Sequence, residues 1–260
     1  MSADELFLDE PFRTRWAAAD PFVAVEALQG RVYRELDARR TLRTEVAGRG
    51  YFVKIHRGVG WGEIAKNLLT LRAPVLGAGN EYRAIRRLEQ LGVDTMRAVA
   101  YGVRGGNPAT QHSFIVTEEL APTISLEDFC RDWPAMPPAP RMKRALIDRV
   151  ATMARRMHAG GVNHRDFYIC HFLLHLDPAP TVEAFKLSLI DLHRAQVRAR
   201  TPRRWRDKDL ASLYFSALGI GLTQRDFLRF LRIYFDRPLR DILRDEAGLM
   251  EHLNREAARL

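Results

Sequence analysis

Apolar and polar positions along this chain change their period partway through. In the first part the apolar residues gather in short runs. Residues 23–28, 31–36 and 51–55 are β-rich, the last run following a turn at Gly48-Arg49-Gly50, and together they predict a small antiparallel sheet. A glycine-rich piece at 56–62 comes next, and the pattern then predicts a helix over 63–71 that Pro74 limits. Asn80-Glu81 opens a second predicted helix, apolar at Ala84, Ile85, Leu88 and Leu91, with Gly92 as its stop. Residues 114–117 read as a buried strand that runs into Glu118-Glu119-Leu120. Beyond the prolines of 134–140, Met142, Leu146, Val150, Met153 and Met157 recur at helical intervals, one stripe of a long helix that Gly160-Gly161 ends. Residues 172–174 and 187–190 flank Asp177-Pro178-Ala179-Pro180 as a hairpin that delivers Asp191 at its far strand end. Everything after Leu210 reads as helical.

Composition narrows the picture. A chain of 260 residues that is 47% apolar suits one large two-lobed domain, or two small ones that share a core, folding without staples. Its opening, Met1-Ser2-Ala3-Asp4-Glu5, is acidic and has no basic segment before an apolar run, which argues against a secretory signal. The longest uncharged stretch, 210–224, is 15 residues long and too short for a membrane span, so no integral span is expected. Cys130 and Cys170 lack metal-ligand spacing and read as ordinary thiols of a reducing cytoplasm.

Charge adds a partner class. Lys plus Arg number 41 against 32 Asp plus Glu, a net charge of +9, which suits an anionic partner: nucleic acid, an anionic membrane surface, an acidic protein or a phosphorylated substrate. Arg194, Arg198, Arg200, Arg203, Arg204, Arg206 and Lys208 crowd one segment that holds a single acid, Asp207. A solvated loop accounts for such a cluster as well as a binding surface does.

The candidate chemistry is phosphoryl transfer. His164-Arg165-Asp166 is followed 25 residues later (191 − 166) by Ile190-Asp191-Leu192-His193. An aspartate after His-Arg can accept the proton of an attacking hydroxyl, and an aspartate closing a strand can hold magnesium against nucleotide phosphates. Lys54, on the third predicted strand, is a point charge for phosphate oxygens, and Glu81 stands 27 residues on (81 − 54), where it can pair with Lys54. Backbone groups at Glu118 and Leu120 are positioned to receive adenine. Asp166, His171 and Asp191 complete the set. Each residue alone has a bland reading: Lys54 as edge-strand charge, Glu81 as a helix-dipole acid, His171 as a core histidine. The ordered set is much harder to dismiss.

At this point the sequence resembles the protein-kinase-like superfamily, and more closely the lipopolysaccharide core heptose kinases. The resemblance spans nearly the whole chain. It is carried by Trp61-Gly62-Glu63-Ile64-Ala65-Lys66-Asn67-Leu68-Leu69, by Arg72-Ala73-Pro74-Val75-Leu76-Gly77-Ala78-Gly79-Asn80-Glu81-Tyr82, by His164-Arg165-Asp166-Phe167-Tyr168-Ile169-Cys170-His171-Phe172 and by Ile190-Asp191-Leu192-His193-Arg194. It implies an α+β, two-lobed protein-kinase-like fold, one kinase-like domain overall. Its N-lobe, 1–120, is a small antiparallel sheet with a family-specific insertion at about 56–80, and its mainly helical C-lobe is 121–260. It also implies an ATP- and magnesium-dependent enzyme that phosphorylates a hydroxyl of the first heptose of the lipopolysaccharide inner core. Such an enzyme would be cytoplasmic and peripheral on the inner face of the inner membrane.

Some positions depart from the eukaryotic protein kinases. No G-x-G-x-x-G precedes Lys54, and the corresponding turn is Asp37-Ala38-Arg39-Arg40, where arginines would meet phosphates. The catalytic-loop asparagine is replaced by His171, as a direct metal ligand or one acting through water, and magnesium prefers oxygen. No Ala-Pro-Glu follows Asp191. The basic segment there, with Arg198, Arg200, Arg203 and Arg204 as acceptor-binding candidates, suits a saccharide bearing carboxylates and phosphates. The rivals are a kinase for 3-deoxy-manno-octulosonic acid or the second heptose, and a nucleotide-binding pseudokinase. A nucleic-acid module is disfavoured because no reading motif is visible.

Overall fold

A computed structural model describes residues 4–36, 38–58, 60–61, 77–107 and 109–257 of the chain. The predicted helix over 63–71, residues 62–69 of the Trp61–Leu69 motif, residues 72–76 of the Arg72–Tyr82 motif, and Asp37 of the turn lie outside the described residues. The chain forms two compact units. One comprises the described residues of Met1–Ile85, Met96–Glu119 and Leu192–Arg194; the other comprises Arg86–Thr95, Leu120–Asp191 and Ala195–Leu260.

The first unit is built on a six-stranded antiparallel sheet of β1 (Glu5–Leu8), β2 (Arg31–Leu36), β3 (Arg39–Val46), β4 (Arg49–His56), β5 (Ala98–Arg104) and β6 (His112–Glu118), in the order β1-β5-β6-β4-β3-β2. The alternating side chains of β3 and β4 explain its layering. Leu42 and Val46 on β3 and Tyr51, Val53 and Ile55 on β4 turn to one face and are buried. They join Phe12, Trp16, Phe22, Val25 and Phe114 in a core closed by α1 (Phe12–Arg15) and α2 (Pro21–Glu26). Each such side chain, fully buried, contributes about 1.5–3 kcal/mol.

Residues 23–28, expected as a strand, are mostly helical. Asp20 caps α2 by accepting from the Phe22 N–H at 2.9 Å, and Pro21 stands in its first turn. That start signal outweighs the β propensity of Val23 and Val25. The turn before β4 is also one residue earlier than expected. Ala47 and Gly48 have φ of 50° and 72°, the mirror-image turn that suits a two-residue hairpin, while Arg49 already pairs with Val46.

In the second unit the long predicted helix is present as α5 (Pro140–Ala159), after α3 (Gly79–Gln90), whose last five residues belong here, and α4 (Leu126–Phe129). Leu146, Val150, Met153 and Met157 form its buried stripe, Pro140 begins it and Gly160 caps it. The expected hairpin is also formed. β9 (Phe172–His175) pairs antiparallel with β10 (Leu187–Leu189), and β7 (Thr123–Ser125) flanks β9. A short ladder joins β8 (Val162–Asn163) to β11 (Gln196–Val197). The helical end of the chain starts earlier than expected, with α6 at Arg203–Ser216, and continues through α7 (Gln224–Phe235), α8 (Leu239–Asp245) and α9 (Ala247–Ala257). Among the described residues no helix is long and apolar enough to cross a membrane.

Candidate active site

On the sheet unit, strand register decides which side chains can act together. Lys54 and His56 alternate with the buried Val53 and Ile55, so they stand on the face away from the core. Lys54 Nζ donates to Glu81 Oε1 at 2.7 Å, with the two side chains 17% and 2% exposed. Glu81 sits in the first turn of α3, where the helix dipole favours an acid. Its other oxygen, Oε2, is buried without a hydrogen-bond partner among the described residues. The carboxylate is thus held mainly by the lysine.

Arg39 and Arg40, expected in the turn before Lys54, are the first two residues of β3 and go opposite ways. Arg39 lies directly across from His56, and Thr41 across from Lys54, which puts Arg39 on the lysine face. Arg40 faces the other side, donates to the Glu26 carbonyl at 3.0 Å and pairs with Glu35 at 3.2 Å. Burial first, then the positive field of Arg39, Lys54 and His193, pushes His56 down to about 3, so it is neutral. At the end of β6, Glu118 binds Arg97 at 2.8 Å and its N–H donates to the Arg97 carbonyl at 2.9 Å. In the helical unit the Leu120 carbonyl accepts from the Thr123 hydroxyl at 2.8 Å.

In the helical unit, backbone conformation places the candidate groups. Arg165 and Asp191 have φ of 75° and 62°, the left-handed region that costs a non-glycine residue about 1–3 kcal/mol and persists only when its surroundings enforce it. Two devices enforce it. Asp209 of α6, 1% exposed, accepts from the backbone N–H of His164 at 2.6 Å and of Arg165 at 2.8 Å. Its Oδ2 also meets His158 Nε2 at 3.2 Å, and His158 Nδ1 meets the Tyr234 hydroxyl at 2.7 Å. The carboxylate can only accept from the ring, so Nε2 donates and Nδ1 accepts the tyrosine proton in the neutral imidazole.

The second device is His164. Its Nε2–H donates to the Ile190 carbonyl at 2.9 Å while Nδ1 accepts from the Asp166 N–H at 3.3 Å, and burial lowers its pKa in keeping with a neutral ring. One imidazole thereby ties the loop of Asp166 to the strand end of Asp191. Leu189 is fixed from the other side, its N–H donating to the Asp94 carbonyl and its carbonyl accepting from Thr95. His171 donates from Nδ1 to the Asp166 carbonyl at 2.7 Å, and its Nε2 lies 3.6 Å from Asp191 Oδ2. In the neutral ring Nε2 then carries a lone pair toward a carboxylate oxygen.

Comparison with known proteins gives the family of the chain. The model of the lipopolysaccharide kinase (Kdo/WaaP) family matches residues 23–234. The chain belongs to that family. A lipopolysaccharide core heptose(I) kinase WaaP of Pseudomonas aeruginosa is 69% identical over 98% of this chain and 95% of its own, and one from Escherichia coli is 60% identical over 97% and 96%. A solved structure of WaaP in complex with acyl carrier protein superposes with a TM-score of 0.89 at 63% identity, covering 98% of both chains. The fold is therefore kinase-like, as the resemblance implied.

For this member of the Kdo/WaaP family the structure brings Lys54 and Glu81 together in one unit, and Asp166, His171 and Asp191 in the other. It does not present the arginines after Asp191 as one surface. Arg198 is spent on Asn163 Oδ1 and Gln196 Oε1, both at 2.5 Å, and Arg203 on Glu246 at 2.9 Å. Arg200 and Arg204 remain exposed. Arg203 and Arg204 are also helical residues rather than loop residues, being the first two of α6. The sequence reading missed Asp209, His158 and Tyr234. Only the polarity of Asp209 inside an otherwise helical pattern hinted at it.

Proposed function

We infer that this chain is an ATP-dependent kinase that phosphorylates a hydroxyl of the first heptose in the lipopolysaccharide inner core. The observation that carries it is the pair of left-handed residues, Arg165 and Asp191, held by Asp209 and His164 so that Asp166 and Asp191 are fixed before any substrate arrives. The heptose(I) activity of relatives 56–69% identical supports this acceptor over 3-deoxy-manno-octulosonic acid or the second heptose.

Asp166 orients the acceptor hydroxyl and takes its proton as the oxygen attacks the γ-phosphorus of ATP and ADP leaves. Lys54, kept extended by Glu81, and Arg39 on the same sheet face supply positive charge to the phosphates. With the Glu118 N–H and the Leu120 carbonyl already engaged, the Glu118 carbonyl and the Leu120 N–H are the groups for adenine.

Asp191 suits a magnesium ion, which commonly takes one or two carboxylates and completes its shell with phosphates and water. Magnesium would neutralise charge developing on the phosphates. His171, a nitrogen donor oriented by the Asp166 carbonyl, serves better as a partner to a metal-bound water than as a direct ligand.

The relative's complex with acyl carrier protein supports a carrier-protein partner for this basic chain. An apolar cavity of about 540 Å³ in the helical unit, lined by Trp133, Leu146, Leu213, Phe227, Leu231 and Leu253, is of a size and lining to take an acyl group. The acceptor is lipid-linked, so the enzyme works peripherally at the cytoplasmic face of the inner membrane. The deciding experiment is turnover of ATP with purified core oligosaccharide, the phosphate located by NMR. A product phosphorylated elsewhere than on the first heptose would overturn the acceptor assignment.

A further inference from the structure

Helix α6 opens with charges of the wrong sign. A helix N-terminus carries partial positive charge and favours acids, yet the first turn of α6 has Arg203 and Arg204, no acid, and no side-chain cap from Pro202. Part of this surplus is neutralised within the unit, because Arg203 and Arg206 both bind Glu246, at 2.9 and 2.7 Å. Arg204 and Lys208 have no such partner: both are exposed, and among the described residues neither makes an ion pair. They stand one turn apart, a spacing at which like charges repel.

All the same, these side chains converge. The Arg204 guanidinium lies 5.0 Å and the Lys208 ammonium 5.8 Å from the ring centre of Trp205. A third cation, Arg165, lies 5.6 Å from the same indole. Cation–π contact holds Arg204 and Lys208 in place without neutralising them. These two positive charges, gathered on a ring that Arg165 also meets, therefore make a site that gains by binding an anion. Its location matters, since Arg165 is the residue before Asp166 and its backbone is clamped by Asp209.

We propose that Trp205 gathers Arg165, Arg204 and Lys208 into a subsite for an anionic group of the acceptor saccharide, a carboxylate or phosphate on a sugar beside the one that reacts. This rests on the kinase reading above. The indole organises the cations in advance, so less side-chain freedom is lost when the acceptor docks. Arg198 and Arg203, spent on internal partners, stand outside this subsite.

Steady-state kinetics of the full chain with ATP and purified core oligosaccharide test it. The Arg204→Ala/Lys208→Ala variant should raise the acceptor KM about tenfold or more, leave kcat and the ATP KM near wild type, and show a flatter salt dependence. Trp205→Leu should move the same way, with Trp205→Phe between it and wild type. A dephosphorylated core that erases the difference assigns the anion as phosphate, and a carboxyl-reduced core that does so assigns it as carboxylate. Parallel salt curves, or an ATP KM that rises as much as the acceptor KM, would overturn the subsite. So would lost binding to anionic phospholipid vesicles with an unchanged KM for soluble oligosaccharide, which would make the patch a membrane contact. Were the wild type to lack turnover, the kinase reading would fail by itself. Calorimetry of the same oligosaccharide on wild type and variant would then still decide the subsite.

Discussion

In the sheet unit the candidate side chain is placed by strand register, whereas in the helical unit it is placed by buried polar groups that grip the backbone. Lys54 reaches Glu81 because a strand sends alternate residues to one face. Asp166 follows Arg165, a strained loop residue that would relax without Asp209, a carboxylate of α6 that stands 43 residues after Asp166 (209 − 166). A charge set on a strand tolerates imprecise surroundings, because an ammonium on a flexible stem can adjust. A base that must meet one hydroxyl needs its main chain held.

Breaking each arrangement should have a different signature. The largest effect is expected from Asp166→Ala, which should cut turnover about 10²–10⁴-fold while nucleotide affinity stays nearly intact. Turnover above a tenth of wild type at saturating acceptor would remove Asp166 from that role. Next comes Lys54→Ala, which leaves Glu81 buried and uncompensated and should lower stability by about 3 kcal/mol as well as weaken ATP binding. Glu81→Gln should cost less stability, because Lys54 can turn to solvent. Urea unfolding of the pair would show whether this asymmetry holds.

Asp209→Asn sharpens the contrast within the helical unit. The amide brings a donor against backbone N–H groups, so we expect a loss of about 2–3 kcal/mol and a fall in kcat with the ATP KM unchanged. Equal changes in both kinetic constants would mean that the clamp does not act through the loop. The effect that is smallest at neutral pH concerns acid. His56 is held at about 3 in the folded state against about 6.5 unfolded, so the unfolded chain binds the proton first. Its stabilisation is fully present above about pH 6.5 and is lost as pH falls toward 3, at about 1.4 kcal/mol per pH unit. His164, also lowered by burial, acts in the same direction. His56→Gln should flatten the acid limb of the stability curve, and a limb as steep as wild type would assign acid sensitivity elsewhere.

Much of this molecule was legible in the chain. The helical stripe from Leu146 to Met157, the hairpin before Asp191 and the helix opened by Asn80-Glu81 all formed where periodicity put them. Residues 23–28 were misread because β-branched residues drew attention from Asp20-Pro21, a local start signal. β3 went unread because arginines interrupt its inward Leu42, Thr44 and Val46.

By itself the sequence determined what repeats or neighbours along the chain decide: strand faces, helix stripes, and the order of Lys54, Glu81, Asp166 and Asp191. Only the tertiary structure decided which acids and bases meet. Asp209 closes a basic run and looks like surface charge, yet it is buried and holds the backbone of His164 and Arg165. Arg198 and Arg203 look like acceptor contacts, yet internal partners take them. The reason is physical. Period and propensity are local, acting over a few residues, whereas a buried charge must be satisfied by whatever the fold brings within about 3 Å, and that partner can stand anywhere in the chain.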